Sequence, residues 1–285
     1  ACGPFVFSDW EVGGTSYTLV KNEDYFAADT VTCDEVTFQI ITDTAQMMMG
    51  WENKTLDYIA LTGDYMEMYR DDPALNISDM AAMYFLEFNM QNEYLSNENL
   101  RMALSLAVDK EFIVDGMLNN GSRVADYLLP ESFAEGSDGV FFRDKIGNPM
   151  YNSCDKEKAL ELWETAKSEL GVDSITFELL YDVSTVTEEM CAFLKSEWEE
   201  TLPGITIELS QTTYNNRLEL MGKHDFEIGF TRWYADYQDP LTYLDMFIST
   251  SQMNYGQYSS AEYDALYQQV VGELALDEDA RITAM

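Results

Sequence analysis

Apolar and polar residues alternate along the chain with two different periodicities, one typical of strands and one typical of helices. The segment 226–231, FEIGFT, has apolar residues at every second position, which predicts a half-buried β-strand. The segment 100–108 has apolar residues at i, i+3, i+4, i+7 and i+8, which predicts one face of a helix. From residue 155 onward, segments with helix periodicity alternate with segments with strand periodicity. We therefore expect βαβ crossovers and a mixed or largely parallel sheet.

The same patterns, together with turn and capping residues, place the remaining elements. Apolar segments predict strands at 5–7, 17–19, 36–41, 56–60, 84–89, 175–181, 205–209 and 226–231. Helical spacing and caps predict helices at 44–52, 97–108, 109–117, 155–170, 185–198, 215–221, 241–248 and 261–274. The first two strands flank Gly13 and Gly14 and should form a hairpin, whereas residues 130–153 should form a long surface loop.

Composition and charge narrow the possible partners. The chain has 285 residues and 46% hydrophobic residues, which is enough for a substantial core in one or two domains. Its formal net charge of −36 repels nucleic acid phosphates and anionic membrane surfaces, so neither is expected as a partner. No apolar run approaches the ~18–20 residues that span a bilayer. Most of the 52 acidic residues should simply form a solvated surface.

Cysteine and histidine residues give little support for a metal site or a catalytic site. Cys2, Cys33, Cys154 and Cys191 are too far apart in sequence for a CxxC motif or a zinc site. Free, buried thiols are the expectation, with a disulfide left open. His224, the one histidine, has no obvious serine or cysteine partner for a catalytic triad. We therefore predict no metal, no cofactor and no enzymatic activity.

The segment 226–240, FEIGFTRWYADYQDP, concentrates the candidate binding residues. It begins as the strand described above and ends at the turn formed by Asp239 and Pro240. In open α/β sheets, ligands bind beyond the carboxyl ends of strands. The candidate ligand-binding residues in this position are Arg232, Trp233, Tyr234, Asp236 and Tyr237.

This segment resembles the W-x-A-D-Y-x-D-P motif of the family 5 solute-binding proteins of ABC importers, the oligopeptide and dipeptide receptors. Two further segments carry the same resemblance. Residues 3–25 resemble the family's G-P-Y-x-F-x-x-W…Y-x-L-x-x-N-x-x-Y-W segment, and residues 97–110 resemble its V-R-x-A-L-x-x-A-I-D-R helix. The resemblance runs from Gly3 to about Ile282.

The resemblance implies a periplasmic-binding-protein-like fold of type II (cluster C), with two lobes of mixed β-sheets flanked by helices. Residues 1–88 would form an incomplete first lobe and residues 89–285 the second. The strand at 84–89 would cross between the lobes as a hinge. In the family, a long N-terminal portion precedes the first segment and a further helix and a return to the first lobe follow the last, so we expect this chain to lack both ends.

The implied function is the capture of oligopeptides or dipeptides in an interlobe cleft and their delivery to the membrane permease. Asp236 corresponds to the family's carboxylate for the peptide α-amino group, with Trp233 and Tyr237 as apolar walls. The charge of Arg232 suggests a holder of the ligand carboxylate, or a surface ion-pair partner if it faces the other way. The location would be extracytoplasmic, as a periplasmic or cell-surface lipoprotein whose lipid anchor lies outside this segment.

Other interpretations remain open at this point. Asp236 can instead organise the turn that precedes Asp239 and Pro240. A receptor of the same fold can bind an oligosaccharide, an opine or a metal chelate, because aromatic side chains near the cleft suit sugar stacking. A hydrolase built on Asp236 and Asp239 is less well supported, because no nucleophile motif or metal cluster accompanies this pair.

Overall fold

The computed structural model describes residues 2–61, 63–125, 127–147 and 153–285, which form two compact units that divide between residues 60 and 61. The strands are β1 (Phe5–Asp9), β2 (Ser16–Lys21), β3 (Glu35–Gln39), β4 (Ala82–Phe88), β5 (Ile175–Asp182), β6 (Ile205–Thr212) and β7 (Ile228–Tyr234). The α-helices are α1 (Thr44–Glu52), α2 (Asp64–Met68), α3 (Glu98–Leu106), α4 (Phe142–Ile146), α5 (Lys156–Leu170), α6 (Thr185–Thr201), α7 (Tyr214–Gly222), α8 (Leu241–Leu244), α9 (Ala261–Val271) and α10 (Glu278–Ala284). Short 3₁₀ helices lie at Ala28–Thr30 and Asp245–Phe247, and a π-helix lies at Phe112–Leu118.

The first unit contains an antiparallel sheet in the order β1-β2-β3, followed by α1. The predicted hairpin is confirmed, since β1 and β2 pair directly. Helix α1 begins where expected, because the Asp43 side chain accepts a hydrogen bond from the Gln46 N–H at 2.8 Å. The predicted strand at 56–60 is wrong. The Leu56 N–H donates to the Gly50 carbonyl at the end of α1, and residues 56–60 form no ladder.

The second unit is built on a four-stranded sheet in the order β4-β7-β5-β6. Strand β4 runs antiparallel to β7, whereas β5 runs parallel to both β6 and β7. The expectation of a mixed α/β sheet is therefore confirmed. Helix α6 connects β5 to β6 and helix α7 connects β6 to β7, whereas α5 precedes β5 and packs with α6 against the sheet. Gly171 ends α5 in the left-handed conformation with φ of 70°.

Large aromatic side chains fill the core between the sheet and its helices. Trp163 and Trp198 are fully buried, and each satisfies its indole N–H on a backbone carbonyl, of Pro203 and Leu104 respectively, at 2.8 Å. Phe177, packed beside them, is also fully buried. The centre of the second unit is thus a buried aromatic core whose indole N–H groups are hydrogen-bonded, and β5 and β7 pack against it.

The cysteines and two connecting segments depart from the sequence predictions. All four cysteines are free, as expected, but only Cys191 is buried; Cys2, Cys33 and Cys154 are exposed because they lie in segments outside helices and strands. Burial, and then the charge of Asp182, raise the pKa of Cys191 to about 12. The helix predicted at 109–117 is the π-helix, and the long loop at 130–153 contains α4, with its residues 148–152 outside the described ranges.

The predicted lobe boundary at residue 88 stays a prediction. The compact units divide at residue 60 instead, and β4 belongs to the sheet of the second unit. Within the described ranges, none of the helices has both the length and the apolar character needed to cross a membrane.

Candidate ligand-binding site

Strand β7 carries most of the candidate residues and is longer than the sequence predicts. It continues to Tyr234, past the expected end at residue 231. Its last residues pair with β4, Arg232 opposite Tyr84 and Trp233 opposite Met83. Arg232, Trp233 and Tyr234 are therefore part of the strand, and only Asp236 and Tyr237 follow it.

Alternation along β7 sends the candidate side chains to opposite faces of the sheet. Trp233 packs into a cluster with Met83 and Tyr243, and its indole N–H donates to the Thr242 hydroxyl at 3.3 Å. Arg232 and Tyr234 lie on the other face. The five predicted residues therefore do not converge on one point, as the alternation of neighbouring strand residues requires.

Arg232 belongs to a charge cluster that the sequence analysis did not identify. Its Nη1 and Nη2 atoms donate to Oδ1 and Oδ2 of Asp182 at 3.0 and 3.2 Å. The same carboxylate accepts from Nε of Arg217 at 2.7 Å, and Arg217 is 1% exposed. Burial lowers the pKa of Arg232, but the hydrogen bonds and charge of Asp182 outweigh it and raise the pKa. Asp182 ends β5, the edge position where such groups are expected.

Three tyrosines surround the Arg232 guanidinium. Its central carbon lies 5.0 Å from the ring centroid of Tyr214 and 5.9 Å from that of Tyr84. The hydroxyls of Tyr84 and Tyr234 are 3.0 Å apart. Each of these tyrosines is nearly half exposed. The three rings come from α7, β4 and β7, so three different elements restrict the position of the guanidinium at the protein surface.

The end of β7 has one unpaired edge. Strand β5 pairs with β7 only at Ile228 and Gly229. The Ala235 N–H donates to the Ala81 carbonyl at 2.8 Å, which fixes the hydrogen-bonding phase against β4. By that phase the N–H and C=O groups of Arg232 and Tyr234 point away from β4, on the side where β5 pairs with β7 only at Ile228 and Gly229.

Asp236 presents an open carboxylate just beyond this edge. Its backbone N–H donates to the buried Thr242 hydroxyl at 3.1 Å, while its side chain is exposed and accepts no hydrogen bond from the described residues. The turn is instead organised by Asp239, which accepts from the Leu241 N–H at 3.0 Å and from both ends of the Arg281 guanidinium at 2.8 and 2.9 Å. The two acids of the segment therefore have different roles.

Comparison with known proteins shows the family. Residues 1–255 match the model of the bacterial extracellular solute-binding proteins, family 5 Middle. The chain belongs to this family. The dipeptide-binding protein DppE of Bacillus subtilis is 27% identical over 284 residues, which cover 99% of this chain and 51% of that protein.

Solved structures of solute-binding proteins confirm the predicted periplasmic-binding-protein-like fold. The substrate-binding domain of an oligopeptide ABC transporter from Bacillus anthracis is 31% identical with a TM-score of 0.90, over 99% of this chain and 55% of that one. Listeria monocytogenes OppA bound to peptide is 26% identical with a TM-score of 0.89, over the same shares. The chain spans about half the length of these relatives.

The carboxyl group of Asp245 lies close enough to the exposed carboxylate of Asp236 to interact with its charge in this solute-binding protein. Burial raises the pKa of Asp245, and the charge of Asp236 raises it further, while hydrogen bonding from Tyr237 opposes the shift. Burial and then the charge of Asp245 also raise the pKa of the Tyr237 hydroxyl, which therefore stays a neutral donor. The environment of Asp236 is thus negative and suited to a cation.

Asp236 and Asp239, the two acids on which a hydrolase would depend, are not equivalent in this solute-binding protein. Asp239 is held bidentately by Arg281, so it is not free to act as an acid or base together with Asp236. In the part of the chain that the structure describes, no group of three or more histidine, cysteine or acidic side chains is arranged to hold a metal ion. The arrangement can bind a cation beside an open strand edge.

Proposed function

We propose that this chain forms part of the substrate-binding protein of an ABC importer, and that it captures an extended oligopeptide or dipeptide. One observation carries the proposal: the unpaired edge of β7 ends beside the open carboxylate of Asp236. A peptide offers the two matching features, a ladder of N–H and C=O groups and a cationic amine at its start.

The chemistry of capture follows from these two features. The ligand backbone would pair with the outward N–H and C=O groups of Arg232 and Tyr234, which gives affinity without reading side chains. The ligand ammonium would bind the Asp236 carboxylate, which fixes the register. Removing one partner of a desolvated charge pair costs ~2–5 kcal/mol, a large share of the roughly −8 kcal/mol of micromolar binding.

The names of the relatives support this assignment. One is a dipeptide-binding protein, one is the substrate-binding domain of an oligopeptide transporter, and one was solved with a bound peptide. We extend their setting to this protein: an extracytoplasmic location, delivery of the peptide to permease subunits, and attachment to the membrane through a lipid anchor outside this chain.

The test is Asp236→Asn in the full-length protein, which removes the charge and keeps the size of the side chain. Titration calorimetry with a mixed tripeptide pool should show at least a thirtyfold loss of affinity, from about 2 kcal/mol or more. The melting temperature should not fall, because the carboxylate accepts no hydrogen bond from the described residues and its charge only disfavours the ionised form of Asp245. The matched control is Glu262→Gln, an exposed acid on α9. Equal affinity of Asp236→Asn and the wild type would refute the assignment.

A second candidate is a non-peptide ligand such as an oligosaccharide, an opine or a metal chelate. The half-exposed rings of Tyr84, Tyr214, Tyr234 and Tyr237 favour it, because open aromatic faces suit sugar stacking. A thermal-shift screen of tripeptides against oligosaccharides separates the two, since only a true ligand raises the melting temperature by mass action. The hydrolase is not proposed, because the family is one of solute-binding proteins and Asp239 is engaged by Arg281.

A further inference from the structure

We infer that the ion pair of Lys195 and Glu199 on α6 blocks the outer edge of β6 against strand addition by a second copy of this chain. This edge lies at the opposite side of the sheet from β4, and its role does not depend on the proposed function. Three features of the second unit support the inference: a strand with an outward side, a helix face that follows that side, and two charged groups that occupy the backbone atoms a new strand would use.

The outward side of β6 follows from its pairing with β5. In the part of the chain that the structure describes, β6 is the last strand of the four-stranded sheet. A residue of a parallel strand directs its N–H and C=O to one side, and the next residue directs them to the other. The carbonyls of Gly204 and Thr212 accept hydrogen bonds at 2.9 Å from residues at, or just beyond, the two ends of β5, so even-numbered residues face β5. The residues that face outward are Ile205, Ile207, Leu209 and Gln211.

One face of α6 follows this outward side from end to end. The Ile205 N–H donates to the carbonyl of Leu202, the C-cap of α6, at 3.0 Å. At the other end of the strand, the Gln211 side-chain amide donates to the Glu188 carboxylate at 3.4 Å. The positions on this face have the i, i+7, i+11 and i+14 spacing of a helix stripe: Glu188, Lys195, Glu199 and Leu202.

The ion pair covers the middle of the edge. The Ile207 N–H donates to the Glu199 carboxylate at 2.9 Å, and the Ile207 carbonyl accepts from the Lys195 ammonium. A salt bridge of 3.0 Å joins Nζ of Lys195 to Oε1 of Glu199. The hydrogen bond from Ile207 lowers the pKa of Glu199, and Lys195 lowers it further against the opposing effect of desolvation. Two charged groups therefore occupy the donor and the acceptor that another strand would use at Ile207.

A second β6 is the partner that matches this edge once the pair is removed. Two copies of β6 can lie antiparallel about a two-fold axis at Leu209, because their outward residues then face each other. Ile207 of each copy would lie opposite Gln211 of the other, and Glu208 opposite Ser210, so the one acid of the strand does not meet itself. An eight-residue edge with a single charge and no proline has the features of a strand-addition site.

The test is the double variant Lys195→Ala/Glu199→Ala in the full-length protein, which removes both groups and keeps the net charge. Sedimentation equilibrium in about 1 M NaCl, where the Debye length is about 3 Å, screens the repulsion between acidic copies. The mass of the variant should rise about twofold with concentration, as a closed two-fold pair requires, while the wild type stays monomeric. The matched control is Glu219→Ala/Lys223→Ala, an exposed pair of the same spacing at the end of α7, which should also stay monomeric.

A third substitution locates the contact. Leu209→Pro, added to the double variant, should restore the monomer, because it removes an outward N–H at the proposed axis and leaves the ladder with β5 intact. Association of the control, or association that survives Leu209→Pro, would overturn the inference. So would a double variant that folds, as judged by circular dichroism, and stays monomeric, or a wild type that associates and is made monomeric by Leu209→Pro.

The single variant Glu199→Ala keeps the inference testable if the double variant does not fold. It opens only the Ile207 N–H, whose hydrogen exchange should become at least about tenfold faster than in the wild type at low protein concentration. At high concentration the variant should associate more weakly than the double variant but more strongly than Glu219→Ala. Unchanged exchange at Ile207, or association no stronger than that of Glu219→Ala, would overturn the inference.

Discussion

The two ends of β7 differ in pairing and burial although they are only a few residues apart. At Ile228 and Gly229 the strand has partners on both edges, and Ile228 is fully buried. At Tyr234 only β4 remains as a partner, and the side chain is 45% exposed. The comparison shows that one strand can anchor the core at its start and offer a binding edge at its end, because β5 stops pairing part-way along it.

The strongest test of this difference is a pair of alanine substitutions in the same strand. Ile228→Ala should lose ~2–5 kcal/mol of unfolding free energy, because it removes buried side-chain volume between two neighbouring strands. Tyr234→Ala should lose less than ~1 kcal/mol, because nearly half of its side chain is already exposed to water in the folded state. Urea unfolding of both variants measures the two effects. Similar losses would contradict the division of β7 into a packed end and an open end.

A second test uses the pH dependence of stability at the packed end, where Glu87 of β4 lies opposite Gly229. Burial raises the pKa of Glu87 from 4.5 to about 7, although the Gly256 N–H, which donates at 2.7 Å, and Arg217 lower it. The folded state then binds a proton that the unfolded state releases, so this group's contribution to stability falls as the pH rises from about 4.5 to 7.

The variant Glu87→Gln keeps an acceptor for Gly256 but cannot be charged. Its stability relative to the wild type should therefore increase by ~3 kcal/mol between pH 4 and pH 8, from the shift in pKa at 1.36 kcal/mol per unit. Urea unfolding at several pH values gives this difference. The exposed Glu262→Gln serves as control and should show a flat difference. A flat difference for Glu87→Gln as well would mean that the carboxyl group titrates normally.

The smallest expected effect lies at the open end, in the buried hydroxyl of Thr242. It accepts hydrogen bonds from the Asp236 N–H and the Trp233 indole. Thr242→Val keeps the shape but removes the acceptor, so we expect a loss of ~1 kcal/mol in stability and a severalfold loss of peptide affinity. Thr165→Val, on the surface of α5, should leave affinity unchanged. Unchanged affinity in Thr242→Val would show that Asp236 does not need this support.

Local patterns in the sequence were sufficient to predict most helices and strands of the second unit. The caps at Asn97 and Asp155 and the terminator Gly171 lie where the helix signals predict, because these bonds join residues close in sequence. The extra residues of β7 were missed because they form only by pairing with β4, which lies about 150 residues earlier in the chain. The strand predicted at 56–60 failed for the converse reason, since it has no neighbouring strand.

The candidate site was predictable only in part. The open position of Asp236 follows the motif, and the alternation of β7 already indicated that Arg232 and Trp233 diverge. The link between Asp182, Arg217 and Arg232 was not predictable, because the three residues lie on different elements and 15 to 50 positions apart. The position of Asp182 at the carboxyl end of β5 was the one signal available.

The distribution of exposed and buried thiols makes it possible to follow ligand binding to this protein by fluorescence. Cys2 and Cys33 lie in the first unit and Cys154 in the second, all exposed, whereas Cys191 is buried and resists ionisation. A Cys2→Ser variant would leave one dye-reactive sulfur in each unit. Energy transfer between a donor and an acceptor fluorophore attached there would report, in real time, any change in separation when a ligand arrives.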